Sequence, residues 1–144
     1  AGTGAFMAQH TGNSWQALAD GALVTFDSDS ADDCFDDDSC YDASTSIYTA
    51  PGTGVYLFWY AIFTANTDAD NEFGFKVNDS SGTHEIQGAS AATNKLTYAS
   101  ESGVYIQNGT QVVKLSVTDT LWIASRATSD FNEGESCWGG CRIS

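Results

Sequence analysis

The residues best placed to do chemistry are the carboxylates between Asp27 and Asp42. Eight of these sixteen positions are aspartate and none is lysine or arginine. Oxygen ligands are the ones that Ca²⁺ prefers, so the segment is a candidate calcium site. It has no EF-hand pattern, and two alternatives stay open: diffuse cation binding by a polyanionic loop, and a solvated turn that keeps the protein soluble. The candidate ligands are Asp29, Asp32, Asp33, Asp36, Asp37 and Asp38.

A second acidic turn lies further along the chain. Between Asn66 and Glu72 it contains Asp68 and Asp70, which are two further candidate calcium ligands. The same composition is typical of an ordinary polar turn, and that alternative stays open. The sequence therefore predicts Ca²⁺ as a cofactor, with the longer acidic segment as its first site.

The four cysteines form two local pairs, Cys34 with Cys40 and Cys137 with Cys141. Thiolate metal sites usually show tighter Cys-x-x-Cys spacing and often include histidine, so disulfides are favoured over free or metal-bound thiols. A bridge inside the second pair needs a turn at Gly139-Gly140, because four extended residues span about 13 Å. Cross-pairing between the two pairs also stays open.

Two features of the sequence indicate an extracellular protein. Disulfides persist in oxidising compartments. Asn78-Asp-Ser and Asn108-Gly-Thr match the N-glycosylation pattern, which also occurs by chance. We therefore predict a secreted protein with Asn78 and Asn108 as candidate glycosylation sites.

The histidines and tryptophans are the remaining candidates for a site. His10 and His84 lie in no nucleophile motif such as Gly-x-Ser-x-Gly, so we predict that the protein is not an enzyme. Large aromatic side chains are most often buried. Trp15 and Trp138 are the tryptophans least constrained by strand alternation, and each is a candidate for stacking on a sugar ring.

The composition predicts one globular domain, residues 1–144. This length, with 42% hydrophobic residues, is enough to bury a core. The net charge of −14, with only five Lys and Arg, excludes nucleic acid and anionic membrane surfaces as partners, since both require basic residues. No apolar run approaches the roughly 20 residues of a membrane span, so membrane insertion is not expected. Metal cations, mineral surfaces and neutral polar ligands such as sugars are favoured.

The elements that must position these residues are short strands. β-rich segments separated by Gly, Asn, Asp and Ser clusters predict an all-β sandwich or barrel. Residues 55–64 are bulky and apolar at both odd and even positions, so both faces of this strand must be covered. We expect its second face to meet another sheet or another subunit.

The order of these segments resembles the globular head of complement C1q, and three stretches carry the likeness. Ala-Phe-x-Ala is found at residues 5–8. Val-x-Phe-Asp, a variable loop and Tyr-Asp-x-Ser-Thr-x-x-Phe-Thr-Ala-Pro-x-x-Gly-Val-Tyr-x-Phe match residues 24–58, with Tyr48 in place of the Phe that precedes Thr-Ala-Pro. Val-x-Leu-x-Val-x-Asp-x-x-Trp-Ile matches residues 113–123. The family's closing Phe-Ser-Gly-Phe-Leu is replaced by residues 138–142, and the chain shows no collagen-like Gly-x-y repeat.

The resemblance implies a ten-stranded antiparallel jelly-roll sandwich of the C1q/TNF-like type that assembles as a homotrimer. It implies calcium dependence, as in several relatives. It does not imply any enzymatic activity. The chain looks like the head-only C1q-domain proteins of molluscs and other invertebrates, in which the acidic segment 27–42 would be a loop between two strands. The resemblance points to a secreted, lectin-like protein that binds glycans or microbial surface polysaccharides. The alternatives are an acidic calcium-binding matrix or biomineral protein, and a cytokine-like receptor ligand.

Overall fold

The structure is a computed structural model that describes residues 3–12, 14–30, 34–65, 73–86, 95–97, 104–126 and 129–144. Within these residues the chain forms thirteen strands, several of them only two or three residues long. No helix in the described part of the chain is long and apolar enough to cross a membrane. The strands are β1 (Phe6–Gln9), β2 (Trp15–Leu18), β3 (Phe35–Asp36), β4 (Tyr41–Asp42), β5 (Ile47–Thr49), β6 (Gly54–Ala65), β7 (Phe73–Asp79), β8 (Gly82–Glu85), β9 (Lys95–Thr97), β10 (Val104–Leu115), β11 (Thr120–Ser125), β12 (Ser129–Asn132) and β13 (Cys137–Arg142), and a 3₁₀ turn (Glu133–Glu135) precedes β13.

The strands form two antiparallel sheets, as the jelly-roll prediction requires. In the first sheet β6 is central: β10 and then β9 lie on one side of it, and β13, β1 and β3 follow on the other. Further along β6 than its pairing with β13, β12 pairs with β6 through Phe131 and Thr64, and β2 pairs with β12. The second sheet has the order β4-β5-β11-β7-β8. The predicted all-β jelly-roll sandwich is therefore confirmed.

The core between the sheets is filled mainly by aromatic side chains. Tyr56, Phe58 and Tyr60 of β6 point into it and are buried. Phe6 stacks on Tyr41 with ring centroids 5.0 Å apart. Each large apolar side chain buried in this way contributes roughly 1.5–3 kcal/mol. The core therefore fixes the strand ends from which the loops emerge.

The opposite side of β6 is also apolar, as predicted, but it remains half-buried. Its side chains belong to Val55, Leu57, Trp59, Ala61 and Phe63. Because successive strand residues point to opposite faces, these five lie on the side of the first sheet that faces away from the core. We name this side the outer face. We predicted that another sheet or another subunit covers this second face of β6. In the single chain these side chains are only half-buried.

The chain ends on β13, which remains extended through Gly139 and Gly140. A Cβ atom at Gly139 would lie 2.7 Å from the carbonyl oxygen of Phe6 and 3.0 Å from Cζ2 of Trp59. Glycine is therefore required because the neighbouring strand and the Trp59 ring approach so closely. The turn that a Cys137–Cys141 bridge needs is absent from this strand. That local pairing is wrong, since the two residues are about 13 Å apart along an extended strand.

Candidate functional site

The predicted calcium loop is held to the fold by two of its own carboxylates. Asp36 accepts hydrogen bonds from the backbone N–H groups of Cys40, at 2.9 Å, and Tyr41, at 3.1 Å. Asp38 accepts one from the N–H of Gly4 at 2.7 Å. These contacts close a tight turn between β3 and β4 and tie it to the start of β1. Two of the predicted ligands therefore have an identified structural role.

The other predicted ligands do not join them in a cluster. Asp37 is exposed and Asp29 is half-buried, whereas Asp32, Asp33, Asp68 and Asp70 lie outside the described residues. Among the residues that the structure describes, no three His, Cys, Asp or Glu side chains converge as metal ligands. The described acids therefore do not fit a calcium site, and calcium binding stays a prediction that depends on the other four.

Asp27 anchors the beginning of the acidic segment. Its carboxylate accepts hydrogen bonds from the N–H of Thr11, at 2.7 Å, and from the Thr11 hydroxyl. Partial desolvation raises the pKa of Asp27, but these hydrogen bonds and the nearby His10 outweigh it and hold the pKa below its usual value. The carboxylate stays ionised as an anchor between β1 and the acidic segment.

The four cysteines carry thiols in the structure, and they lie in two environments. Cys40 is buried in the core, where desolvation, then the charges of Asp36 and Asp38, raise its pKa to about 11. Burial also raises the pKa of Cys137, and the charge of Cys34 raises it further. The structure thus brings Cys34 into the electrostatic environment of Cys137. Disulfide formation by Cys34, Cys40, Cys137 and Cys141 stays a prediction, without the Cys137–Cys141 pairing.

The two candidate sugar-stacking tryptophans differ completely in exposure. Trp138 is 0% exposed, and its ring packs edge-on against Phe6 and Tyr41. The prediction that it stacks on a sugar is wrong, because its position in β13 turns it towards the core. Trp15 is 47% exposed, with its ring centroid 6.3 Å from that of Phe63. Its role as a sugar-stacking residue stays a prediction.

The two candidate glycosylation sites also differ in setting. Asn78 is exposed next to the β7–β8 hairpin, where its side-chain oxygen accepts a hydrogen bond from Thr83. Asn108 is half-buried in the middle of β10, directly opposite Ala61. Ala61 belongs to the outer face, and opposite residues of paired strands point to the same side. A glycan on Asn108 would therefore cover the outer face, whereas one on Asn78 would not.

An apolar pocket on the outer face is the feature that reasoning from the sequence missed. It has a volume of about 300 Å³ and lies between β3, β1, β13 and β6. Phe35, which is 44% exposed, forms one wall. In the sequence only the odd-numbered apolar residues of β6 indicated this pocket, because its other walls come from segments that are distant in the chain. The lining residues are Ala5, Phe6, Met7, Phe35, Leu57, Trp59, Gly140 and Cys141.

Solved structures with the same arrangement of strands come from two groups of proteins. The globular domain of zebrafish complement 1qA protein superimposes with a TM-score of 0.67 at 19% identity, over 97% of each chain. The protein has a C1q/TNF-like fold. Eiger TNF from S. frugiperda gives a TM-score of 0.71 at 13% identity, covering 97% of this chain and 91% of that one. Murine APRIL gives a TM-score of 0.69 at 10% identity, covering 96% of this chain and 98% of that one.

The C1q/TNF-like fold confirms the architecture that the resemblance implied. No protein-family model and no curated protein sequence matches the chain. At identities of 19% and below the likeness concerns the fold, so the function must be argued from the surface of this particular jelly roll.

Proposed function

We propose that the protein is a secreted, homotrimeric recognition protein that binds glycans or microbial surface polysaccharides. The observation that carries the proposal is the half-exposed apolar outer face of the first sheet. Trp59, Leu57 and Met7 lie at its centre, and Phe35 and Val112 lie at its two sides. Contiguous apolar surface of this kind is uncommon on monomers and usually marks an interface. The C1q/TNF-like fold supports a cyclic trimer as the assembly that covers it.

Trimer formation matters for this function because a single sugar site binds its ligand with low affinity. A closed trimer presents three copies of every loop on one rigid scaffold, and simultaneous contacts raise the overall affinity by orders of magnitude. The loops that would be presented include the acidic turn at residues 36–40. Neither trimer formation nor sugar binding requires catalytic groups, and the proposal assigns no enzymatic activity.

The chemistry of the surface supports an uncharged, polyhydroxylated ligand. A net charge of −14 repels polyanions such as nucleic acids and sulfated polysaccharides. Trp15 is exposed and its ring is supported by Phe63, so it offers a flat apolar surface to a sugar ring. Trp15 is therefore the residue to which the proposal assigns sugar contact.

A glycan array and a mass measurement test the two parts separately. Labelled protein should bind a set of neutral glycans, and Trp15→Ala should reduce that binding at least about tenfold. Ile143→Ala, which also truncates an exposed apolar side chain, should leave it unchanged. Repeating the array with EDTA tests calcium dependence. A blank array under both conditions refutes glycan recognition, and a monomeric mass in light scattering refutes the trimer.

A cytokine-like receptor ligand is the second candidate. It is favoured by the TM-scores of Eiger TNF and murine APRIL, which are as high as that of the C1q domain. Binding to cells distinguishes the two functions. Enzymatic removal of surface glycans should abolish binding by a lectin, whereas protease treatment should abolish binding by a receptor ligand.

A further inference from the structure

The second sheet also has a side that faces away from the core. In β11, Leu121 and Ile123 are buried, whereas Trp122 between them is half-buried, so its ring lies on the opposite side of the strand. Among the strand residues that the structure describes in this sheet, Trp122 is the only aromatic side chain on that side. We name this side the second-sheet surface. The residues at its centre are Thr120, Trp122, Lys76 and Asn78.

The strand register places Asn78 next to Trp122. Lys76 of β7 lies directly opposite Trp122, and Asn78 lies opposite Thr120, so that Asn78 and Trp122 are diagonal neighbours on one side of the sheet. Diagonal neighbours are roughly 7–8 Å apart, which is within reach of an aromatic side chain. A sugar ring attached to Asn78 is therefore within reach of the Trp122 ring.

The side-chain amide of Asn78 is held in one orientation. The hydroxyl of Thr83 on β8 donates to the Oδ1 atom of Asn78 at 3.2 Å. Because Oδ1 and Nδ2 lie on opposite sides of the amide carbon, Nδ2 lies away from β8, on the side where β11 carries Trp122. Asn78 is exposed, and no hydrogen bond among the described residues uses its Nδ2 atom. The nitrogen that N-glycosylation modifies is therefore accessible.

The two acceptor tripeptides of the chain differ in local structure. Residues 78–80 lead from the end of β7 into the turn of the β7–β8 hairpin. Residues 108–110 lie within the twelve-residue β10, where Asn108 is half-buried opposite Ala61 of β6. N-glycosylated tripeptides are typical of surface loops. The structure therefore favours Asn78 as the modified residue.

We propose that Asn78 carries an N-linked glycan whose first N-acetylglucosamine ring packs on Trp122, over the second-sheet surface. The apolar face of the sugar covers the exposed part of the indole ring. The inference rests on the secretion that the proposed function includes, because N-glycans belong to secreted proteins. It assigns the second-sheet surface to the protein's own glycan and leaves the first sheet and the acidic turn accessible to ligands.

The modification is a glycosyl transfer from a lipid-linked oligosaccharide diphosphate. The Nδ2 atom of Asn78 forms a bond to the anomeric carbon of N-acetylglucosamine, and the bond from that carbon to the diphosphate oxygen breaks. The lipid diphosphate leaves with the bonding electron pair, and one amide proton is released to solvent. Oδ1 keeps its hydrogen bond from Thr83, and the step requires no oxidant or reductant.

A mass measurement tests the attachment site. We would produce the full chain behind a cleavable secretion leader in a cell line that makes high-mannose glycans. The intact mass of the secreted protein should exceed that of the polypeptide by one glycan. Asn78→Gln should lose the whole increase, and the matched control Asn108→Gln should keep it. A secreted protein whose Asn78 is unmodified overturns the proposal.

Thermal unfolding tests the contact with Trp122. Ser80→Ala prevents glycosylation but keeps Asn78 and its hydrogen bond, and it should lower Tm by about 2–4 °C because the stacking is lost. In a Trp122→Thr background Ser80→Ala should leave Tm unchanged. In a Trp122→Tyr background, which keeps an aromatic ring, most of the shift should remain. An equal shift in all backgrounds contradicts the packing on Trp122.

A further measurement needs no variant of Trp122. Trimming the glycan of the wild-type protein to its first sugar with an endoglycosidase should leave Tm within about 1 °C of the untrimmed protein, because the first ring makes the contact. A trimmed protein that melts at the temperature of Ser80→Ala contradicts the role of that ring.

The outcomes are separate from those of the proposed function. On the glycan array, Ser80→Ala should bind the same neutral glycans as the wild type, and loss of that binding contradicts the assignment of the second-sheet surface. A blank array for a protein that carries a glycan on Asn78 refutes glycan recognition and leaves this inference standing. Array binding by a protein with an unmodified Asn78 does the reverse.

Discussion

At the scale of single residues, Asp36 illustrates how an acidic segment becomes ordered. Its two oxygens accept the N–H groups of Cys40 and Tyr41, and hydrogen bonds to a charged acceptor are stronger than neutral ones. Asp37 beside it accepts no hydrogen bond from the described residues and remains in water. Adjacent residues of the same type therefore have different roles, one structural and one available for contact.

We expect Asp36→Asn to lower the free energy of unfolding by about 1.5–3 kcal/mol, because charge-assisted hydrogen bonds are replaced by weaker ones. Asp37→Asn removes the same charge and should change it by less than about 0.5 kcal/mol. Urea denaturation of both variants measures the difference. Equal effects of the two substitutions would show that the charge, rather than the hydrogen bonds, determines the stability of the turn.

At the scale of elements, β13 shows how residues 138–142 can take the place of the Phe-Ser-Gly-Phe-Leu segment that closes the C1q family's domain. Gly140 lies against the Phe58 ring, and a Cβ atom there would also lie 2.8 Å from the carbonyl oxygen of Leu57. The adjacent Trp138 fills the core from the same strand. A large tryptophan next to two glycines lets β13 pack closely on β6 and still fill the space between the sheets.

Gly140→Ala should destabilise the protein by about 1–3 kcal/mol, since the added methyl group overlaps Phe58 and the backbone of β6. The matched control is Gly52→Ala, whose new Cβ atom would meet only the flexible end of Arg142, at 3.3 Å. Thermal unfolding of the two variants tests this. Similar melting temperatures for both would contradict the close packing of β13.

At the scale of the whole molecule, the core depends on buried neutral tyrosines. Desolvation raises the pKa of Tyr41 to about 12, and burial also raises the pKa of Tyr48 and Tyr60. The hydroxyl of Tyr41 donates to the carbonyl oxygen of Phe26, so the protonated form is the one that the fold uses. Ionisation of any of these side chains places a charge between the two sheets.

The stability of the protein should therefore fall in alkaline solution. The folded-state pKa of Tyr41 is raised above the value of about 10 for an unfolded chain. Its contribution is fully present below pH 10 and is lost as the pH rises from about 10 to about 12. Phenolate absorbance and circular dichroism, followed together, should show the buried tyrosines ionising as the strands unfold. Titration of all six tyrosines near pH 10 with the sheets intact would contradict this.

Much of the architecture could be predicted from the sequence. The resemblance of segments 24–58 and 113–123 to the C1q head predicted the jelly roll, and alternation along residues 55–64 correctly predicted two apolar faces on β6. The candidate site was predicted less well, because the acidic residues were grouped by proximity in sequence. Asp36 and Asp38 prove to be anchors, and Trp138 proves to be core.

The sequence by itself determined the all-β class and the strongly negative charge, since both follow from local pattern and composition. Only the tertiary structure decided which acids of the turn accept backbone hydrogen bonds, on which side of β13 Trp138 lies, and that Phe35 and Trp59 enclose one pocket. The physical reason is that burial and hydrogen bonding depend on which strands become neighbours. Phe35 and Trp59 are 24 positions apart in the chain, yet they lie in one row of a sheet.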